Sequence, residues 1–343
     1  MMELAVQRFE SGQGARVYRM PLELFPGFWG FAYLVISDGF RALIDCGSGL
    51  DSSNSALESG LSTVCSAYGE DGGWRRLTHV LITHGHIDHH GGLRYVRSQT
   101  DAPVGVHELD RRVLTRYEER VRLITHRLRG FLVEAGVEPE KQAAIIDLYL
   151  VNKQLFSSVP VDLTYEAEGM RVGPLTMTHV PGHCPGQVVM QLDDILLVGD
   201  QVLSEISPHQ SPESLSDNTG LGHYLESLER IRPLSTRVRW TLGGHQEPIR
   251  NLGARLDAIE SLHRERLQAV LDLLTVPRTI AEISARLFPE VHGYNVLLAL
   301  EETGAHVEYL AQRGQIGLES QEAIDDVCPV PLRYVRADGA TPC

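Results

Sequence analysis

Residues 83–92 read "THGHIDHHGG", four histidines and an aspartate in ten positions directly after an apolar run. Within them His84, His86, Asp88 and His89 form an HxHxDH pattern. Imidazole mixed with carboxylate is the donor set of zinc, or of manganese or iron as the oxygen share rises. A single ion has no use for so many groups. Three further stretches each offer one donor after an apolar run or a glycine turn: "HVPGHCPG" with His183, "LLVGD" with Asp200 and "TLGGH" with His245. A sheet brings strand ends to one rim, where layered α/β folds place their chemistry. The sum is five imidazoles and two carboxylates, enough for two divalent ions with a shared bridging group.

The elements that must position these groups alternate along the chain. "FAYLVIS" (31–37) and "FRALIDCGSG" (40–49) read as a hairpin turning at Asp38-Gly39. "LTHVLITH" (77–84) is a buried strand expected to end near His84, "GGLRYVRSQT" is helical, and "APVGVH" (102–107) returns to strand. Over 108–158 the period changes: Leu114, Tyr117, Val121, Ile124 and Leu128 recur every three or four residues, marking a helical insertion. Strand patterns resume through "VDLTYEAEGMRVGPLTMTHVPGH" and "VVMQLDDILLVGD"; "YLESLERIRPL" is a helix and "VRWTLGGH" a last strand ending in a glycine pair. Beyond about residue 255 the chain is mainly helical, with "TIAEISARLF" capped by Thr279 and "GQIGLE" as a short β-wing. The domain boundaries expected are 1–255, carrying the insertion, and 256–343.

Composition narrows the function classes. The chain has 343 residues, 43% hydrophobic and 22% charged, and a net charge of −14, which disfavours attraction to nucleic acid or acidic lipid. No stretch reaches the roughly 20 apolar residues of a membrane helix, and "MMELAVQRFE" has neither a basic leader nor an apolar signal core, so a cytoplasmic location is expected. Cys46, Cys65, Cys184, Cys328 and Cys343 are odd in number without a CxxC pair, and read as free thiols.

The turn "LIDCGSG", the block "HGHIDHHGG", then "PGHCPGQ", "LLVGD" and "GGH", in that order, make the sequence similar to the metallo-β-lactamase superfamily, and to its glyoxalase II-like binuclear hydrolases, over about residues 15–250. The resemblance implies an α+β fold, an αββα sandwich of two mixed β-sheets. It implies a first ion on His84, His86 and His183, a second on Asp88, His89 and His245, and Asp200 bridging them, with Asp45 as a buried support. Zinc is the expected metal, with iron or manganese as alternatives; relatives that use iron for redox chemistry carry glutamate where this chain has His86. Cys184 and His90 are read as bystanders rather than ligands. The tail resembles the winged-helix-like extension of some hydrolases of this superfamily. Residues 262–319 carry five Arg or Lys against eight Asp or Glu, so a packing or homodimer-forming role is expected there rather than DNA binding.

The implied reaction is hydrolysis, with a metal-bridging hydroxide attacking the carbonyl of a small ester, thioester or lactone, and Asp88 or Asp200 handling the proton. Residues 111–129 hold seven arginines against two acids. Arg112, Arg116 and Arg120, spaced four apart, are expected to form one stripe for an anionic group on the substrate. His209, His223 and Tyr224, in the polar segment after Asp200, are further candidates for substrate contact. The alternatives are a metal-dependent nuclease or phosphodiesterase, disfavoured by the acidic charge, and a non-catalytic ligand sensor, which would not need all seven ligating side chains. An exported β-lactamase is disfavoured by the lack of a signal peptide.

Overall fold

A computed structural model of the protein describes residues 4–71, 73–151, 153, 156–320 and 329–337. The chain runs β1 (Gln7–Glu10), β2 (Arg16–Phe25), β3 (Phe28–Ser37), β4 (Phe40–Ile44), α1 (Asp51–Tyr68), β5 (His79–Leu81), α2 (Ile87–His90), α3 (Leu93–Gln99), β6 (Val104–Val106) and α4 (Glu108–Thr115). It continues through α5 (Tyr117–Glu134), α6 (Pro139–Val151), β7 (Leu163–Thr164), β8 (Arg171–Val172), β9 (Leu175–His179), β10 (Val188–Leu192), β11 (Ile195–Gly199), α7 (Leu221–Ile231) and β12 (Trp240–Gly243). Last come α8 (Leu252–Leu273), α9 (Ile280–Leu287), α10 (Tyr294–Gln312), β13 (Ile316–Leu318) and β14 (Tyr334–Arg336). No helix among the described residues is long and apolar enough to cross a membrane.

Two compact units emerge from the packing: Met1–Tyr117 with Ser158–Pro208 and Ser227–Leu256, and Glu118–Ser157 with His209–Glu226 and Asp257–Cys343. The first contains two mixed sheets, in the orders β1-β2-β3-β4-β5-β6-β7 and β12-β11-β10-β9-β8 among the described residues. Strand alternation sorts the core. Tyr18, Met20, Leu22 and Leu24 of β2 and Ala32, Leu34 and Ile36 of β3 share a cluster with Leu57, Leu61 and Val64 of α1. Val17, Phe31, Tyr33 and Val35, on the opposite faces, share the other cluster with Met177, Val188, Met190, Leu197 and Leu242 of the second sheet. Helix on sheet and sheet on sheet is the layered α+β arrangement expected from the motifs.

Pairing sets where the strands end. β4, β5, β6 and β7 are mutually parallel, and β9 and β11 both run antiparallel to β10 while β11 runs parallel to β12. The carboxyl ends of β4 and β5 therefore share one edge of the first sheet, and those of β9, β11 and β12 one edge of the second. The bond from Val188 N–H to Thr83 O, 3.0 Å, and that from Phe31 N–H to Gly244 O, 2.9 Å, join the two sheets beside those ends.

In the second unit α5 and α6 pack with the C-terminal helices. The Ala281 amide donates to Ala135 O at 2.8 Å, and Gly304 of α10 lies where a Cβ would press on Phe131 of α5. Thr279 caps α9 through a reciprocal box with Glu282, as the sequence indicated. β13 pairs antiparallel with β14, and Arg278 bridges to Tyr334 of β14.

Several expectations need correction. β5 stops at Leu81 rather than near His84, because the amides of Thr83 and Gly85 bond carboxylates instead of a neighbouring strand. The insertion is not one continuous helix. α4 ends at Thr115, Arg116 leaves helical geometry (φ −137, ψ 48), and the Tyr117 amide donates to Ser158 Oγ at 2.9 Å. Arg112, Arg116 and Arg120 therefore do not form one helical stripe. Cys46, Cys65 and Cys184 are free thiols; Cys328 and Cys343 lie outside the described residues.

Candidate metal centre

Every donor singled out in the sequence sits just past the carboxyl end of a strand. His84 and His86 lie in the loop after β5, Asp88 and His89 open α2, His183 follows β9, Asp200 immediately follows β11, and His245 follows β12 by one glycine. The structure brings them into two groups. One donor atom each from His84, His86 and His183 lie within 4.8 Å of one another, and so do those from Asp88, His89, Asp200 and His245. Ring centroids of His84 and His86 are 4.7 Å apart, and those of His86 and His183 4.5 Å. Asp200 reaches into both groups: its Oδ2 is 3.8 Å from His183 Nε2 and 3.3 Å from His245 Nε2, and its Oδ1 is 3.4 Å from His89 Nε2.

A buried scaffold orients the imidazoles. Asp45, held at φ 57 just after β4, accepts from the Thr83 amide at 2.8 Å and from Thr83 Oγ1 at 2.8 Å. His89 Nδ1 donates to Asp45 Oδ2 at 2.8 Å, and His84 Nδ1 lies 3.0 Å from Thr83 Oγ1, which has already given its proton to Asp45. Both rings are therefore fixed with Nδ1 protonated and Nε2 directed inward. His245 Nδ1 is tied in the same way to Trp29 O at 2.8 Å. The inward Nε2 atoms of His84 and His89 and Oδ1 of Asp200 are buried without a hydrogen-bond partner. Such orphans are costly unless a cation takes them up. Gly244 keeps the floor clear: a Cβ there would stand 2.4 Å from Asp200 Oδ1 and 2.6 Å from His89 Cε1.

Charge gives the same answer. Burial keeps His84 and His86 well below the usual imidazole range, helped by the neighbouring imidazoles, so they present lone pairs. In the other group burial also opposes charge, but Asp200, Asp45 and Asp88 hold His89 well above its usual value. His245 is likewise pushed up, against its burial, to about 10 by Asp200 and Asp88. Asp88 and Asp200, burial notwithstanding, are held far below the ordinary carboxylate range by His89 and His245. This group draws positive charge to itself, and the donors fit divalent ions.

Sequence reasoning missed Asp110. This fully buried residue of α4 accepts from the Gly85 amide at 2.7 Å, from the Gly186 amide at 2.9 Å and from Cys184 Sγ at 3.4 Å. One carboxylate thus ties the loop of His84 and His86 to the loop of His183, and gives Cys184 a structural partner. "VHELD" hid it, because an acid in the first turn of a helix reads as a complement to the helix dipole. His90 belongs to neither donor group and packs 6.3 Å from the Tyr117 ring.

The substrate candidates are placed as follows. Arg112 and Arg116 are exposed at the end of α4. Within the second unit Arg120 donates to Ser216 Oγ at 2.8 Å, His209 pairs with Glu301 at 2.9 Å, and His223 pairs with Glu213 at 3.0 Å. Tyr224 is fully buried, 5.6 Å from the His263 ring, which makes it a packing residue and not an open substrate contact. A group that the sequence did not single out, Phe28 at the tip of the β2–β3 hairpin, is 46% exposed and lies 4.8 Å from the His245 ring.

The sequence profile of the metallo-beta-lactamase superfamily matches residues 27–271. The chain belongs to the metallo-β-lactamase superfamily. Among curated proteins it is 25% identical over 307 residues to "Probable metallo-hydrolase YqjP" of Bacillus subtilis (strain 168), covering 85% of this chain and 88% of that one. Among solved structures it is similar to the metallo-beta-lactamase family protein TTHA1429 from Thermus thermophilus, at 27% identity and a TM-score of 0.73, covering 93% of this chain and 98% of that one. A beta-lactamase domain protein from Burkholderia ambifaria shares the fold, with a TM-score of 0.73 at 24% identity over 96% of this chain and 94% of that one.

Proposed function

We propose that this member of the superfamily is a binuclear hydrolase that cleaves the acyl bond of a small ester, thioester or lactone, with His84, His86 and His183 holding one divalent ion and Asp88, His89 and His245 the other. The observation that carries the reading is Asp200, whose two oxygens reach donors of both groups. Zinc suits this donor set best, with iron or manganese as alternatives. Bound there, two such ions would supply activation of water and polarisation of the acyl carbonyl oxygen. The chain does the rest. Asp45 and the Trp29 carbonyl fix the imidazole orientations, and Asp110 holds the ligand loops in register. Asp88, ionised and with a side chain 16% exposed, takes up a proton at its carboxylate and returns it to the leaving group. Phe28 offers the substrate an apolar face beside His245, and Arg112 and Arg116 offer guanidinium groups to an anionic handle.

The test is a metal count on the purified protein followed by turnover of S-lactoylglutathione, an acyl-coenzyme A, a homoserine lactone, a phosphodiester and a short RNA. Two ions at this site with acyl-bond cleavage is the expected result. Cleavage of RNA or the phosphodiester alone would replace the acyl reading with a nuclease. In the C-terminal segment, α8, α9 and α10 followed by β13 and β14 support a winged-helix-like reading, whose acid surplus suits packing rather than duplex binding.

A further inference from the structure

The second unit contains a donor set that the hydrolytic reading does not use. His263 on α8 faces Glu302 and His306 on α10, where a four-residue spacing puts carboxylate and imidazole on one helix face. All three residues are buried. One donor atom from each lies within 4.8 Å of the others, and His263 Nδ1 stands 3.1 Å from His306 Nε2. Two imidazole nitrogens bound at about 2.0–2.1 Å to one tetrahedral zinc ion lie roughly 3.3 Å apart, so this separation is close to a chelating edge.

The neighbours orient the donors as a metal site requires. His306 Nδ1 donates to the Glu302 carbonyl at 2.7 Å, which leaves the Nε2 lone pair facing His263. The Glu302 carboxylate is held on Oε1 by Arg266 and on Oε2 by the Gln210 amide, both at 2.8 Å, and has His209 Nδ1 at 3.7 Å. Each of its oxygens keeps a second lone pair. Burial keeps both imidazoles neutral, His263 titrating at about 3. A hydrogen-bonded pair of histidines needs only two of these groups; the oriented carboxylate beside them supplies the anionic donor that a buried dication demands.

We propose that His263, Glu302 and His306 bind a further divalent transition-metal ion, zinc first, that fastens α8 to α10. The inference stands independently of the reaction assigned to the other unit. Zinc is counted on the full-length chain after dialysis against metal-free buffer, beside His263→Asn/His306→Asn and Glu302→Gln. The double variant is expected to hold one zinc per chain fewer than the parent, and Glu302→Gln to release that ion to a competing chelator at least about tenfold more readily. Identical counts and chelator profiles in all three chains overturn the proposal and leave a hydrogen-bonded packing cluster. Should the double variant not fold, Glu302→Gln, which keeps the side-chain shape, carries the test. The same roughly tenfold faster loss to the chelator must reappear when Glu302→Gln is added to a His84→Ala/His245→Ala chain; its absence there also overturns the proposal.

Discussion

Asp110 and Asp45 touch no substrate in this arrangement, yet the site depends on both. Asp110→Asn replaces an acceptor that faces two backbone amides with a group that must turn an N–H toward one of them. Metal affinity is expected to fall roughly 10–100-fold, read by chelator competition, while the far-ultraviolet circular dichroism stays that of the parent. Asp88→Asn with both ions retained is expected to lower kcat by about two orders of magnitude; unchanged turnover removes its proton role. The imidazoles themselves make a pH prediction. His245 titrates at about 10 in the folded chain and at 6.5 unfolded, so its stabilisation is complete below pH 6.5 and lost as pH rises through about 10. His89, also raised, adds in the same direction. The metal-free protein is therefore expected to lose thermal stability across that window, while the metal-loaded protein, whose imidazoles are already neutral, does not. Calorimetry of both forms decides it. At this scale the sequence was generous: the donors that converge in the two groups were legible because motif spacing is short and each follows an apolar run or a glycine turn, whereas Asp110 was not, because its partners are backbone amides 25 and 76 residues away.

Secondary elements were legible where one periodicity governed them. The hairpin of β3 and β4, the helix α3 and the Thr279 cap stand where the pattern put them. Thr279→Ala should cost about 1 kcal/mol in denaturant unfolding of the C-terminal helices, since the Glu282 amide loses its acceptor on Thr279 Oγ1. The break at Arg116 was illegible. Apolar residues keep their spacing across it, and its cause, the bond from Tyr117 to Ser158, joins residues 41 positions apart. The consequence for recognition is specific: Arg112→Ala/Arg116→Ala is expected to raise KM for an anionic acyl substrate and leave a neutral ester unchanged, while Arg120→Ala, which loses its bond to Ser216, should act on stability. At β12 the glycine pair has a measurable role. Gly244→Ala would drive a methyl group into Asp200 and His89, and it should weaken metal binding at that group at least about tenfold with the fold retained.

At the scale of the whole chain, the net charge of −14 and the acid surplus of residues 262–319 lead us to expect no binding to duplex DNA at physiological salt; a salt-dependent shift in a gel or anisotropy assay would reverse that. The strands were visible in the sequence as alternating patterns and their division between two sheets was implied by the resemblance to the superfamily, but the grouping of α5 and α6 with the C-terminal helices was not visible, since nothing local in a helix names its packing partner. The placement of the donors on both sheets has one more implication, and it concerns synthesis. His84, His86, Asp88 and His89 leave the ribosome early, whereas His183, Asp200 and His245 come from strands made much later. The trio of His84, His86 and His183 is chemically complete before the quartet closes with His245. On the ligand assignment proposed above, a chain growing from its N-terminus completes the first donor set before the second, and a truncated nascent chain ending between residues 183 and 245 is expected to retain one ion at most from this pair.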